Sequence, residues 1–120
     1  MWPFSKPGSL SFRRIDADFA VAGQLDPADI QKVAEAGFKT ILCARPDNEE
    51  HGQPSFAAVA KAAKAAGLTA VHIPVSGMVG EGQLIRMEQL LKGNPGPIYG
   101  YCRSGARAGS LYTTCKRAMG

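Results

Sequence analysis

Apolar positions fall into two kinds of run along the chain. Phe19 to Ala22 is short and wholly apolar. After Gly23 comes Asp26-Pro27-Ala28-Asp29, where Asp26 suits a helix cap and Pro27 the first helical position. A helix is predicted from Pro27 to about Ala36, closed by Gly37, and Phe38 to Ala44 then reads as a buried strand because it is apolar and partly β-branched. The alternation recurs. Ser55 to Ala66 sets Phe56, Val59, Ala60 and Ala63 on one helical face, with Lys61 and Lys64 off it, and ends at Gly67. Leu68 to Val75 is the next predicted strand. Glu81 to Lys92 is a helix striped by Leu84, Met87, Leu90 and Leu91, and Gly93-Asn94-Pro95-Gly96-Pro97 is a breaker. Ile98 to Tyr101 gives the last strand and Gly109 to Met119 the last helix. This alternation predicts a single α/β domain over residues 13–120, with a mostly parallel central sheet flanked by helices. Residues 1–12, with Pro3, Pro7, Gly8 and several serines, read as an N-terminal arm.

Composition narrows the function classes. The chain has 120 residues, 45% of them apolar and 20% charged, which fits one globular core and excludes a disordered or collagen-like polymer. Its three cysteines, Cys43, Cys102 and Cys115, make neither an even disulfide set nor a C-x-x-C metal pair, so any special cysteine works as a thiol. The net charge of +4 is spread along the chain without aromatic interleaving; it suits a small anionic substrate and gives no nucleic-acid signature. No window approaches the roughly 18 apolar residues that span a bilayer, and the amino terminus has no signal-peptide core. The expected setting is the cytoplasm, with no membrane, cofactor or metal.

Candidate chemistry follows the last strand. Cys102-Arg103-Ser104-Gly105-Ala106-Arg107 lies between a predicted strand and a predicted helix, at the carboxyl end of the sheet where α/β proteins bind ligands. Strand, tight loop and helix make an anion cradle: the amides of Arg103, Ser104, Gly105, Ala106 and Ala108 are candidates to bind substrate, and the helix dipole favours negative charge there. A cysteine at the floor of such a cradle loses its proton readily and becomes a nucleophile. Gly105 allows the backbone to curl inward, and Arg107 offers a two-pronged guanidinium to a tetrahedral anion. Cys102 and Arg107 are therefore the candidate catalytic pair.

These residues carry two resemblances. Tyr101-Cys102-Arg103-Ser104-Gly105-Ala106-Arg107 looks like the active-site loop of rhodaneses, the persulfide-forming sulfurtransferases. The path from Ile15 through Gly23-Gln24-Leu25, Ala44-Arg45-Pro46-Asp47, Gly52-Gln53-Pro54-Ser55 and His72-Ile73-Pro74-Val75 to that loop resembles a bacterial family of dual-specificity-phosphatase-like domains. Its members stand alone or are joined to a metallo-β-lactamase-like hydrolase in the beta-lactamase hydrolase-like proteins. The resemblance covers about residues 13–118 and implies a cysteine-phosphatase architecture with its active site at Cys102.

Three departures from the phosphatase pattern bear on the reaction. Four residues separate Cys102 from Arg107 where the pattern has five. Ser76 and Gly77 follow Val75 where it has an aspartate that protonates the leaving alcohol, and Ala108 stands where it has a Ser or Thr. General acid catalysis contributes about 10²–10⁴ in rate, whereas sulfite and thiolates leave without it. The expectation is thus sulfur transfer: Cys102 takes sulfur from thiosulfate or a low-molecular-weight persulfide, with Arg107, Arg103 and Ser104 holding the donor, and passes it to a thiol such as glutathione. A persulfide-processing metallo-β-lactamase-like hydrolase would be a possible partner. The alternatives are a phosphatase in which Asp47 replaces the missing acid, and a non-catalytic oxyanion or thiol sensor. Arg45 and Asp47 would either approach the cradle as supporting groups or form a structural ion pair that holds their loop.

The remaining features are read as structural. His72 is expected to be a packed, hydrogen-bonded histidine, and His51 beside Glu49 and Glu50 is a weak metal signal. Trp2 and Phe4 are expected to cover an apolar edge. Cys43 and Cys115 are expected to be small buried hydrophobes, although Cys115 would resolve an oxidised Cys102 if the two came close enough for a disulfide.

Overall fold

A computed structural model of the protein describes residues 10–120. The residues expected to form the N-terminal arm, Trp2 and Phe4 among them, lie outside that range up to position 9. Five strands build one sheet: β1 (Arg13–Asp16), β2 (Phe19–Ala22), β3 (Thr40–Cys43), β4 (Thr69–His72) and β5 (Ile98–Tyr101), in the order β1-β2-β5-β3-β4. β1 runs antiparallel to β2 at the edge, and the other pairings are parallel.

The helices form where local chemistry favours them. Asp26 caps a 3₁₀ turn at Pro27–Asp29 by accepting from the Ala28 amide at 2.8 Å, and α1 (Ile30–Glu35) continues from it. Ser55 caps α2 (Phe56–Ala65) by accepting from the Ala58 amide at 3.1 Å. α3 (Glu81–Gly93) is anchored at its start by Gln83, which donates to the Pro74 carbonyl at 2.9 Å. α4 (Ala106–Met119) begins three residues before the predicted start, because the chain enters helical geometry directly after Gly105.

Successive strand residues face opposite sides of the sheet, so the core has two layers. Phe19 and Val21 of β2, Leu42 of β3 and Ile98 of β5 pack with Met87 and Leu90 of α3 and with Leu111, Tyr112 and Cys115 of α4. On the other face Ala20, Ile41, Cys43, Tyr99 and Tyr101 meet Ile30 and Val33 of α1 and Val59 and Ala63 of α2. Gly100 is the one β5 position where close approach demands glycine. A Cβ there would lie 2.6 Å from Cζ of Phe19, whose ring stacks on Tyr112 at 4.1 Å.

This topology locates a crevice. β3 and β5 are neighbours, yet the chain leaving β3 turns to α2 on one face while the chain leaving β5 turns to α4 on the other. The two loops diverge and open a gap at the carboxyl ends of the strands. Among the described residues no helix is long and apolar enough to cross a membrane.

Candidate active site

The loop leaving β5 wraps around the sulfur of Cys102. Gly105 takes a left-handed conformation at φ 98°, and a Cβ on it would sit 3.3 Å from the backbone of Ala22, so this turn requires glycine. The turn brings the Gly105 N–H to 3.0 Å from Cys102 Sγ. Burial raises the pKa of this thiol, but the N–H groups of Ala108, Ser104, Arg107 and Gly105 aimed at the sulfur outweigh it, and the pKa falls below the ordinary thiol value. Burial raises the Cys43 and Cys115 thiols instead. Cys102 is thus the one of the three cysteines whose surroundings favour the thiolate. The Ala106 amide, also expected in the cradle, bonds the Ser104 hydroxyl at 3.3 Å.

Arg107 is held by groups from two other loops. Its Nη1 donates to the Val75 carbonyl at 2.9 Å and to Glu49 Oε2, and its Nη2 donates to Glu49 Oε1 at 2.8 Å. These bonds use three of the five guanidinium N–H groups and leave Nε–H and the second Nη2 N–H, which share one edge of the plane. The Glu49 bonds favour the charged form of Arg107, as does the Cys102 sulfur beside it. A two-pronged edge therefore stays available next to the nucleophile, suited to two oxygens of a tetrahedral anion.

Behind Arg107 stands Arg45, only 2% exposed and bonded through every nitrogen: Nε to Glu49 at 2.9 Å, Nη1 to Gln24 at 2.9 Å and Nη2 to Glu50 at 3.0 Å. Arg103 reaches Glu50 from the opposite rim at 3.5 Å. Five side chains, Arg45, Glu49, Glu50, Arg103 and Arg107, line a cleft of about 280 Å³. Gln53 fixes the carboxylate loop by accepting from the amides of Glu49 and Glu50 at 3.1 and 3.2 Å and donating to the Pro46 carbonyl at 2.9 Å. The bonds from Arg107 and then from Arg45 pull the Glu49 carboxyl from its ordinary 4.5 down to about 2.

The structure thus unites Cys102, Arg107, Arg103 and Arg45. It does not bring Asp47 to them as an acid: Asp47 Oδ1 accepts from the Phe56 amide at 2.8 Å at the start of α2, and the carboxylate partners of Arg45 are Glu49 and Glu50. Sequence reasoning missed Glu49, Glu50 and the bonding role of Gln24. His72 is packed as expected, stacked on Phe56 and bonded to the Arg45 carbonyl at 2.8 Å. Cys115 lies in the interface of α3 and α4, its Sγ 3.8 Å from the Leu84 carbonyl, and all three cysteines are free.

Comparison with known proteins bears on the reaction. Residues 11–118 match the model of the phosphatase-like domain of beta-lactamase hydrolase-like protein. A beta-lactamase hydrolase-like protein of Agrobacterium fabrum is 40% identical over 100 residues, covering 82% of this chain and 23% of its own length. The chain therefore spans less than a quarter of that curated relative. Among solved structures, a candidate phosphatase from Neisseria meningitidis is 32% identical with a TM-score of 0.81, over 93% of this chain and 80% of that one. A candidate phosphatase from Shewanella putrefaciens shares the fold at 14% identity and a TM-score of 0.75, over 90% and 69% of the two chains.

These likenesses overturn the expectation of rhodanese-type sulfur transfer through a Cys102 persulfide from thiosulfate to a thiol such as glutathione. That expectation rested on the loop from Tyr101 to Arg107 and on three departures from the phosphatase pattern: the shorter Cys102–Arg107 spacing, the missing aspartate and Ala108. A ring of amides with a guanidinium accepts any tetrahedral anion, so the loop alone does not choose between sulfur and phosphorus; the fold around it is that of phosphatases. The chain belongs to the family of the phosphatase-like domain of beta-lactamase hydrolase-like proteins.

Proposed function

We propose that this domain is a cysteine-dependent phosphatase that acts in the cytoplasm on a small phosphate ester or anhydride. The observation that carries the reading is the convergence of four amides and the Arg107 edge on Cys102, inside a chain of a phosphatase-like family. The substrate phosphoryl group enters the cradle with its non-bridging oxygens on the loop amides and on the Nε–H and Nη2–H edge of Arg107. The Cys102 thiolate attacks phosphorus, the bond to the leaving oxygen breaks, and a phosphocysteine remains. Water then attacks phosphorus, the S–P bond breaks, and orthophosphate departs with the thiolate restored. Phosphoryl transfer passes through a loose transition state whose charge spreads over the equatorial oxygens, so fixed donors at those positions do most of the catalytic work.

Ser104, Gly105 and Ala108 serve through their backbone amides, Arg103 through its guanidinium on the rim of the cleft, and Arg45 serves by holding Glu49. The test is hydrolysis of 4-nitrophenyl phosphate by the purified protein beside its Cys102→Ser variant. The expected result is turnover that the substitution abolishes, with a phosphoryl adduct on Cys102 visible by intact mass after rapid acid quench. Equal turnover by the Ser variant would remove the nucleophile from this scheme.

A further inference from the structure

The site has strong means of holding phosphate, and the geometry points to an unusual treatment of the other product. We propose that the leaving group departs as an anion, so that the site is selective for phosphate bonded to an acidic oxygen, as in an activated aryl ester or a phosphoric anhydride. The inference rests on the phosphatase reading and specifies its substrate class.

The two carboxylates that line the cleft, Glu49 and Glu50, are committed as acceptors. Glu49 Oε1 receives Arg45 Nε and Arg107 Nη2, and Oε2 receives Arg107 Nη1. Glu50 Oε1 receives Arg45 Nη2, and Oε2 faces Arg103. Asp47 receives the first amide of α2. A carboxylate pinned by guanidinium groups holds no proton at neutral pH and has none to give. The loop from Ser76 to Gly80 after β4 carries no carboxylate either. After Val75, whose carbonyl is taken by Arg107, come Ser76-Gly77-Met78-Val79-Gly80, and Met78 is 94% exposed. Neither cleft carboxylate, then, is poised to protonate a leaving oxygen, and Asp47 is engaged at the start of α2 instead.

What the cleft offers is positive charge. Arg103 stands 68% exposed on the rim and, among the described residues, is tied only to Glu50 at 3.5 Å, placed to meet an oxyanion as it forms. A guanidinium stabilises a departing anion by electrostatics without a proton transfer, which works only where the anion is already a good leaving group. The balance closes: Cys102 Sγ bonds phosphorus as the P–O bond breaks, its electron pair leaves on oxygen, and the water consumed in the second step supplies the proton that the product takes up in bulk.

The experiment is a series of aryl phosphates of graded leaving-group acidity, from 2,4-dinitrophenyl to phenyl phosphate, with inorganic pyrophosphate as the anhydride arm. Rates are followed for the purified protein and for Cys102→Ser, Arg103→Ala and Asp47→Asn. The expected result is a kcat/KM that falls about tenfold per unit of leaving-group pKa, steeper than an acid-assisted reaction gives. Arg103→Ala should lower the rates, and Asp47→Asn should leave the slope unchanged while its amide oxygen still accepts from the Phe56 N–H. Cys102-dependent turnover along a nearly level line overturns the inference and leaves the phosphatase reading standing. A slope that steepens only in Asp47→Asn overturns it as well, by making Asp47 the acid. No Cys102-dependent turnover of either the dinitrophenyl ester or pyrophosphate takes both readings down. Pyrophosphate cleaved faster than the aryl ester of matched acidity identifies an anhydride as the source of this chemistry, and the reverse identifies an ester.

Discussion

Glu49 governs which edge of Arg107 faces the substrate. By taking one N–H from each terminal nitrogen it sets the guanidinium plane, while Val75 takes a third and blocks rotation. Glu49→Gln keeps the shape and loses the charge-assisted grip, so kcat/KM for 4-nitrophenyl phosphate is expected to fall by up to about 10² as the fork drifts from its alignment. A pH signature separates this from a general loss of structure. The folded carboxyl titrates at about 2 against an ordinary 4.5, so the pair contributes stability that is present above 4.5 and is lost as the pH falls toward 2. Thermal midpoints of the two proteins should converge over that window and stay apart above it. Cys102 and Arg107 were legible in the sequence because their cradle is local, six consecutive residues between a strand and a helix. Glu49 was not: its partner lies 58 positions away, and Glu49-Glu50-His51 has the look of any solvated charged loop.

At the scale of elements, the cradle depends on how closely α4 lies against β5. Gly100 permits that approach, since a Cβ there would come within 2.6 Å of the Phe19 ring and 3.3 Å of Ala108 Cβ. Phe19 is fully buried and stacked, so it has little room to yield. Gly100→Ala is expected to cost about 1–3 kcal/mol in denaturant unfolding, and to lower turnover as well because Ala108 belongs to the loop around the sulfur. Ile98–Tyr101 was readable to the residue, since an apolar run between a Pro-Gly breaker and a glycine-bearing loop has few alternatives. β1 escaped reading: Arg13-Arg14-Ile15-Asp16 is an exposed edge strand with no apolar alternation to betray it. The start of α4 was displaced because its first turn, Ala106 to Ala108, also belongs to the loop that wraps the Cys102 sulfur, and residues set by that geometry carry no ordinary capping signal.

For the molecule as a whole, charge shapes encounter. The chain carries a net +4, and its cleft sets three arginines against two glutamates. A dianionic phosphoester is drawn toward that mouth, and raising ionic strength from about 0.02 to 0.5 M should lower kcat/KM several-fold while kcat changes little. The fold class followed from alternating periodicities, but the insertion of β5 between β2 and β3 did not. Strand order is set by which faces must be covered, and that is decided by contacts far apart along the chain. The same insertion fixes when activity can arise. Because Cys102 and Arg107 follow β5 in the chain and close against Glu49, which precedes them by more than fifty positions, the cleft takes shape only when β5 has threaded between two strands that were synthesised before it.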